Sequence, residues 1–360
     1  MNSVDFLYEM VKTPSLSTHE YLVAGILRKR MKELGISAHI DKAGNVVSVS
    51  DGIENSINRE QGSRLENKKT ECDLLIFSHM DVVYPILPNN KNDKTIYGRG
   101  AVDAKGPLCA LLEAYAQVKD QLNYNVVFAG VTEEEATTSN GIKHLLTYVK
   151  PRMSLLGEPS NLNGITIAYK GRILAKVSVH GTHSHASNPK DNPIDKLVEY
   201  YYKIKGQFPI TTPFKSITIT PTFINFGTKE ALNVVPDQGE LILDVRFPPE
   251  IEIDNIKKIL TDDKNVNVEF EEYLPGAENN INNQLVKSLM KGIRSQNLEP
   301  RFVKKTGSCD MNYLVPKGII TIAYGPGDSN LDHMDDEHIL IEDYLKSIEI
   351  IKETLLNLKF

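Results

Sequence analysis

Apolar positions recur at helical spacing over residues 3–12 and 18–34, and each stretch predicts an amphipathic helix. Thr18 is placed to cap the second helix and Gly35 to end it. Residues 38–41 and 45–49 read as a strand pair turning at Ala43-Gly44, and residues 51–71 read as a polar surface excursion. The run Leu74-Leu75-Ile76-Phe77 is unbroken by polar residues, as in a strand buried on both faces. An amphipathic helix follows over 108–118, starting near Pro107, then a second apolar strand over 125–129. A helix over 141–149 is ended by Pro151. Helices alternating with apolar strands predict an α/β layer around a central sheet.

The pattern changes near residue 166. Residues 173–180 alternate apolar and polar, as a half-buried antiparallel strand does. A helix over 193–205, strands over 216–226 and 240–247, a helix over 254–261 and a strand over 266–270 complete a β-α-β-β-α-β order, the ferredoxin-like pattern. From about residue 280 the α/β style returns, with helices over 282–296 and 341–357 and an apolar strand over 319–323. The expected organisation is therefore an α/β domain in two parts, 1–165 and 275–360, interrupted by an α+β insert over 166–274.

Composition narrows this picture only a little. The 360 residues are 41% hydrophobic and 24% charged, with a net charge of −6, which gives no support to nucleic acid as a partner. No apolar run is long enough to span a bilayer and no leader pattern opens the chain, so a cytoplasmic protein is expected. The three cysteines, Cys72, Cys109 and Cys309, are far apart and lack C-x-x-C spacing. A disulfide framework or thiolate metal site is not expected; a metal here would be held by histidines and carboxylates.

Such residues gather at strand ends. His79 and Asp81 close the first apolar strand, and at strand spacing they point to one side. Asp103 lies in the glycine-rich loop Gly98-Arg99-Gly100-Ala101-Val102-Asp103-Ala104-Lys105-Gly106. Glu133, Glu134 and Glu135 follow the next strand; three adjacent carboxylates favour either a cation or a solvated helix start. Glu158 follows Leu155-Leu156 in Gly-Glu-Pro, which also suits a plain turn, and His333 ends the loop after residues 319–323. His183 and His185 lie in the insert, as a metal pair or as one working histidine beside a bystander. Open α/β sheets place their sites at the carboxyl ends of the strands, where each of the candidates outside the insert falls.

The ordered set H-x-D, G-x-x-D-x-K-G, E-E, G-E-P and a late histidine resembles the dinuclear zinc amidohydrolase family that includes acetylornithine deacetylase, succinyl-diaminopimelate desuccinylase, aminoacylase and carboxypeptidase G. The resemblance covers essentially the whole chain. It implies a zinc-peptidase-like catalytic domain with a central mixed sheet and an inserted dimerisation or lid domain. It implies two divalent ions, Zn²⁺ first and Co²⁺ next, with metal ligands His79, Asp103, Glu135, Glu158 and His333. Asp103 would bridge the ions, Asp81 would orient His79, and Glu134 would be the general base, with Glu133 as base and Glu134 as ligand the neighbouring register. A cis peptide is implied at Asp103–Ala104. His185 would assist catalysis from the partner of a homodimer, leaving His183 as bystander, and Arg246 and Asn233 would hold the substrate's carboxylate.

Within the family, Tyr324-Gly325-Pro326-Gly327-Asp328-Ser329 ahead of Leu331-Asp332-His333 is most similar to the branch that frees lysine or ornithine from a small acidic amino-group carrier protein. That branch implies cleavage of the amide between the carrier's terminal glutamate and the amino acid's α-amino group, in lysine or arginine biosynthesis. An acidic partner suggests a basic rim, with Lys170, Arg172, Lys190, Lys304 and Lys305 as candidates or as ordinary surface residues. Acetylornithine deacetylase, desuccinylase or dipeptidase activity is the alternative within the family, and a non-catalytic binding protein on this fold is the alternative outside it.

Overall fold

The computed structural model describes residues 1–48, 69–136 and 138–360, so most of the polar stretch 51–71 lies outside the described residues. The chain divides into two compact units. The first comprises Met1–Ile167, Asn279–Val303 and Tyr313–Phe360, and the second Ala168–Glu278 and Lys304–Asn312.

The first unit is built on a mixed sheet. Its strands run in the spatial order Ala38–Ile40, Val46–Ser48, Val126–Val131, Thr70–His79, Val149–Leu156, Ile320–Ala323 and Gly164–Tyr169. Thr70–His79 pairs in parallel with both Val126–Val131 and Val149–Leu156, and the latter pairs in parallel with Ile320–Ala323. Register sets His79 opposite Val131, Phe77 opposite Leu156 and Leu156 opposite Ala323. Four parallel strands therefore finish at one edge, and the segments that follow them start side by side.

Hydrophobic burial holds this sheet. Leu74, Leu75, Ile76 and Phe77 are wholly inaccessible, as their unbroken run suggested. The helix Lys105–Val118 packs on Thr70–His79 and against Ser3–Lys12 and Ile341–Asn357, and the last also packs against Gln284–Ser295. Asparagine caps open two of these helices. Asn2 accepts from the Asp5 N–H and Asn283 from the Val286 N–H, each satisfying an amide that the helix leaves unbonded.

Three local expectations are corrected. Thr18 does not cap the second helix, which spans Tyr21–Glu33. Thr18 instead adopts φ 71° and its N–H donates to Glu20 Oε1. The helix after the glycine-rich loop begins at Lys105 and so includes Pro107 in its first turn, where a missing N–H costs no hydrogen bond. Pro151 does not merely stop a helix; it lies within the central strand Val149–Leu156, and the strand Gly164–Tyr169 was not foreseen.

The second unit has a four-stranded antiparallel sheet in the order Thr218–Phe226, Gln238–Phe247, Gly171–His180, Asn267–Leu274. With helices Pro193–Gly206 and Ile253–Leu260 this is the ferredoxin-like arrangement expected from the strand and helix order. Alternation decides which face is buried. Ile173, Ala175, Val177 and Val179 point into a core with Leu197, Tyr200, Leu243 and Val245, while the residues between them stay partly exposed.

Candidate metal centre

The centre is assembled where the parallel strands end. His79 is the last residue of its strand and is buried. Its Nδ1 faces the Asp81 main-chain oxygen at 3.0 Å, which leaves Nε2 to face Asp103 Oδ1 at 3.3 Å. The Asp103–Ala104 peptide is cis, in agreement with the implied geometry.

Asp81 is fully buried and organises its surroundings. Its Oδ1 accepts from the Glu134 N–H at 3.1 Å, and its Oδ2 from the Glu135 N–H at 3.0 Å and the Ser17 hydroxyl at 2.7 Å. One carboxylate thus fixes the main chain under two of the three glutamates and stands beside the His79 ring. Burial alone would raise the Asp81 pKa, but His79, Ser17 and the Glu135 N–H together hold it below the ordinary value. Glu20, which no motif singled out, supports the same segment: its Oε1 accepts from the Glu133 N–H at 3.0 Å.

Asp103 sits between two imidazoles. Its Oδ2 lies 3.2 Å from His333 Nε2, which in turn lies 2.9 Å from Glu135 Oε1. His79, Asp103 and Glu135 can each present a ligand atom with all three atoms within 4.8 Å of one another. The electrostatics are those of crowded anions facing two rings. Burial would raise the Asp103 pKa, yet His333 and His79 hold it well below the carboxylate range. Glu135 is pushed up by burial and by the charge of Asp103. Hydrogen bonds to Asp103 and then Glu135 raise His333 to about 10. Imidazole nitrogens and carboxylate oxygens converging without sulfur are a donor set that fits Zn, Co or Mn.

The other residues singled out in the sequence fall as follows. Glu158 is buried just beyond the strand Val149–Leu156, with its N–H toward Tyr324 O at 3.4 Å. Glu133 has φ 57° and its carboxylate accepts from the Thr138 hydroxyl at 2.6 Å. His333 also has a left-handed φ of 64°, a conformation that non-glycine residues rarely adopt outside functional or tightly held segments.

In the second unit, His185 is exposed, and its Nδ1 accepts from the Ser187 N–H at 3.2 Å. His183 lies 3.6 Å from Asp237. Asn233 is exposed and its main-chain oxygen accepts from the Ala186 N–H. The Arg246 fork is engaged by Asp244 through Nε at 2.6 Å and Nη2 at 3.1 Å, and its Nη1 donates to Ser308 Oγ at 3.0 Å. The expected basic rim is corrected in part. Lys170 is buried with its ammonium on the Ser216 main-chain oxygen, and burial lowers its pKa. Arg172 is paired with Asp244 and Glu272, and Lys304 with Glu278.

Sequence reasoning also missed Glu337 and Arg99, a buried pair 2.8 Å apart beside the Asp103 loop. The signal available was weak: Glu337 closes an acidic run, Asp335-Asp336-Glu337, just before the apolar pair Ile339-Leu340.

Comparison with known proteins places the chain. The description peptidase family M20/M25/M40 matches residues 75–357. The chain belongs to that family and is a hydrolase. It is 30% identical over 340 residues to a LysW-lysine/LysW-ornithine hydrolase of Sulfurisphaera tokodaii, covering 89% of this chain and 96% of that one. It is 33% identical over 291 residues to the protein of the same description from Saccharolobus solfataricus, covering 78% and 81%. Among solved structures, an M20 family metallo-carboxypeptidase from Sulfolobus solfataricus superposes with a TM-score of 0.78 at 20% identity, covering 99% of both chains, which shows the shared fold. Among the described residues no helix is long and apolar enough to cross a membrane.

Proposed function

We propose that this protein is a metal-dependent hydrolase that releases lysine or ornithine from a small acidic amino-group carrier protein, cleaving the amide between the carrier's terminal glutamate and the amino acid's α-amino group. The observation that carries the metal chemistry is the placement of Asp103, with one carboxylate oxygen 3.3 Å from His79 and the other 3.2 Å from His333. That is the arrangement a bridging carboxylate needs. The carrier-bound substrate is supported by the names of the two relatives above.

His79, Asp103 and Glu158 would hold one divalent ion, and His333, Asp103 and Glu135 the other, with zinc the first candidate and cobalt the second. When bound, the two ions would supply Lewis acidity that acidifies water and polarises the scissile carbonyl. The chain's own residues do the rest. Glu134, whose main chain is fixed by Asp81, accepts the proton of the attacking water on its carboxylate and returns it to the leaving α-amine. The engagement of Glu133 with Thr138 supports Glu134 as the base. Asp81 orients His79 so that Nε2 keeps its lone pair for a cation.

His185 donates to the developing oxyanion from the partner of a homodimer, and Arg246 and Asn233 hold the substrate's carboxylate. For Arg246 this requires sharing its fork with Asp244. The enzyme would then act in the cytoplasm, in lysine or arginine biosynthesis.

The test is release of free lysine or ornithine from purified carrier conjugate by the zinc-loaded protein. Turnover of small N-acyl amino acids alone would remove the carrier and leave the amide chemistry. A wild-type protein that binds no divalent ion and hydrolyses nothing would remove the proposal.

A further inference from the structure

Glu337 is fully buried and makes an unusual set of bonds. Its Oε1 accepts from the N–H groups of Gly100 and Val102, each at 2.9 Å, and of Asp103 at 3.1 Å. Its Oε2 accepts from Arg99 Nη1 at 2.8 Å. Its main-chain oxygen accepts from the Gly98 N–H at 3.1 Å. The same Arg99 Nη1 donates to the main-chain oxygen of Met334 at 2.9 Å, next to His333, while Arg99 Nε donates to Pro85 O at 3.2 Å.

These bonds join the two segments that meet at Asp103. One of the three N–H groups on Oε1 is that of Asp103 itself, so the carboxylate fixes the peptide plane from which the Asp103 side chain springs. Asp103 has to present one oxygen toward each of two histidines, and a tilt of that plane moves both oxygens together. Arg99 ties the other end, because its bond to Met334 holds the turn on which His333 sits. Three amide dipoles and a guanidinium converging on one buried group favour a negative charge there, against the burial that raises its pKa.

We propose that Glu337 is a positioning residue of the metal centre, acting with Arg99 to set the spacing of Asp103 and His333. It touches neither ion nor substrate. The proposal rests on the two-metal reading above.

A buried ion pair can also be merely structural, and the molecule contains the control. Arg30 and Glu113 form a second buried pair, with Nε to Oε1 at 2.7 Å and Nη2 to Oε2 at 3.0 Å, joining the helices Tyr21–Glu33 and Lys105–Val118. Neither residue bonds to a proposed ligand. A Glu113→Gln variant should lower stability as Glu337→Gln does, but only the latter should disturb ion binding.

The experiment is titration of chelator-stripped full-length protein with Zn²⁺ against a competing chromophoric chelator. Glu337→Gln keeps one oxygen for the amides but sets an NH₂ against Arg99. Its zinc affinity should fall about 10- to 100-fold, while Glu113→Gln binds as wild type. Wild-type affinity and stoichiometry in Glu337→Gln would overturn the proposal. If Glu337→Gln fails to fold by circular dichroism, Arg99→Gln decides. It leaves the three amide bonds intact and removes the tie to Met334, so about tenfold weaker binding of one ion is expected, and unchanged binding overturns the proposal. A wild-type protein that takes up no zinc would instead remove the two-metal reading, and this inference with it.

Discussion

Replacing Asp81 by asparagine tests how the centre is held. The substitution keeps volume and shape but exchanges one acceptor oxygen for a donor. Asp81 Oδ1 bonds the Glu134 N–H and Oδ2 bonds the Glu135 N–H and Ser17. Whichever way the amide is turned, one of the two backbone N–H groups meets an NH₂ instead of an oxygen. Asp81 is wholly inaccessible, so water cannot take the lost acceptor's place. A buried donor left unmatched costs about 1–3 kcal/mol, and thermal unfolding of the metal-free protein should show a loss of that size. The main chain of Glu134 and Glu135 must then shift. A displacement of about 1 Å at the reacting groups lowers turnover on the order of 100-fold. The Asp81 main-chain oxygen still holds His79 Nδ1, but the carboxylate charge 3.5 Å from that ring is lost, which should also reduce zinc affinity about 10-fold. Turnover assays on the zinc-saturated variant separate the two effects. A variant with wild-type stability, zinc affinity and turnover would refute the reasoning that Asp81 orders this segment.

Glu134→Gln should lower turnover by about 10²- to 10⁴-fold while zinc content by elemental analysis stays at the wild-type level; loss of zinc together with activity would make Glu134 a ligand instead. Chelation should abolish hydrolysis and lower the unfolding temperature, since zinc at about 1,000 times its Kd adds about 4 kcal/mol to the folded state, and scanning calorimetry with and without zinc checks this. Gly141→Ala should cost about 1–3 kcal/mol of stability by denaturant titration. Its Cβ would lie 2.3 Å from Thr132 O, 2.6 Å from Thr132 N and 2.7 Å from Asn45 Oδ1, just ahead of the glutamate run. All three cysteines are buried, and burial pushes the Cys72 thiol up to about 12, so a thiol reagent at pH 8 should label the native protein slowly and the denatured protein at once.

Short-range rules served well where the chain's local chemistry has one outcome. Leu74–Phe77 read as a strand buried on both faces and residues 173–180 as a strand with one wet face, and the structure has both. The expected two-part layout rested on the switch between those patterns, which gives no sign that Lys304–Asn312 fall with the second compact unit. Val149–Leu156 escaped because Pro151 argues locally against an interior strand, whereas neighbours on both sides supply the missing cohesion. Lys170 looked like a surface cation because lysine usually is one; only packing shows it buried on the Ser216 main-chain oxygen.

By itself the sequence determined the chemical inventory of the centre: which donors exist, that they are nitrogen and oxygen rather than sulfur, and that His79, the glutamate run and His333 come after apolar strands. That much is local, because a strand end and the loop after it are contiguous in the chain. Tertiary structure decided the geometry. Parallel register brings His79, the glutamate run, Glu158 and the His333 loop to one edge of the sheet. Asp103 meets His333 only because the chain returns after 230 residues, and Glu337 reaches the Val102 amide across a separation of 235. Contacts of that range leave no periodicity or spacing to read. They exist only when the sheet has closed and a buried carboxylate must find its donors.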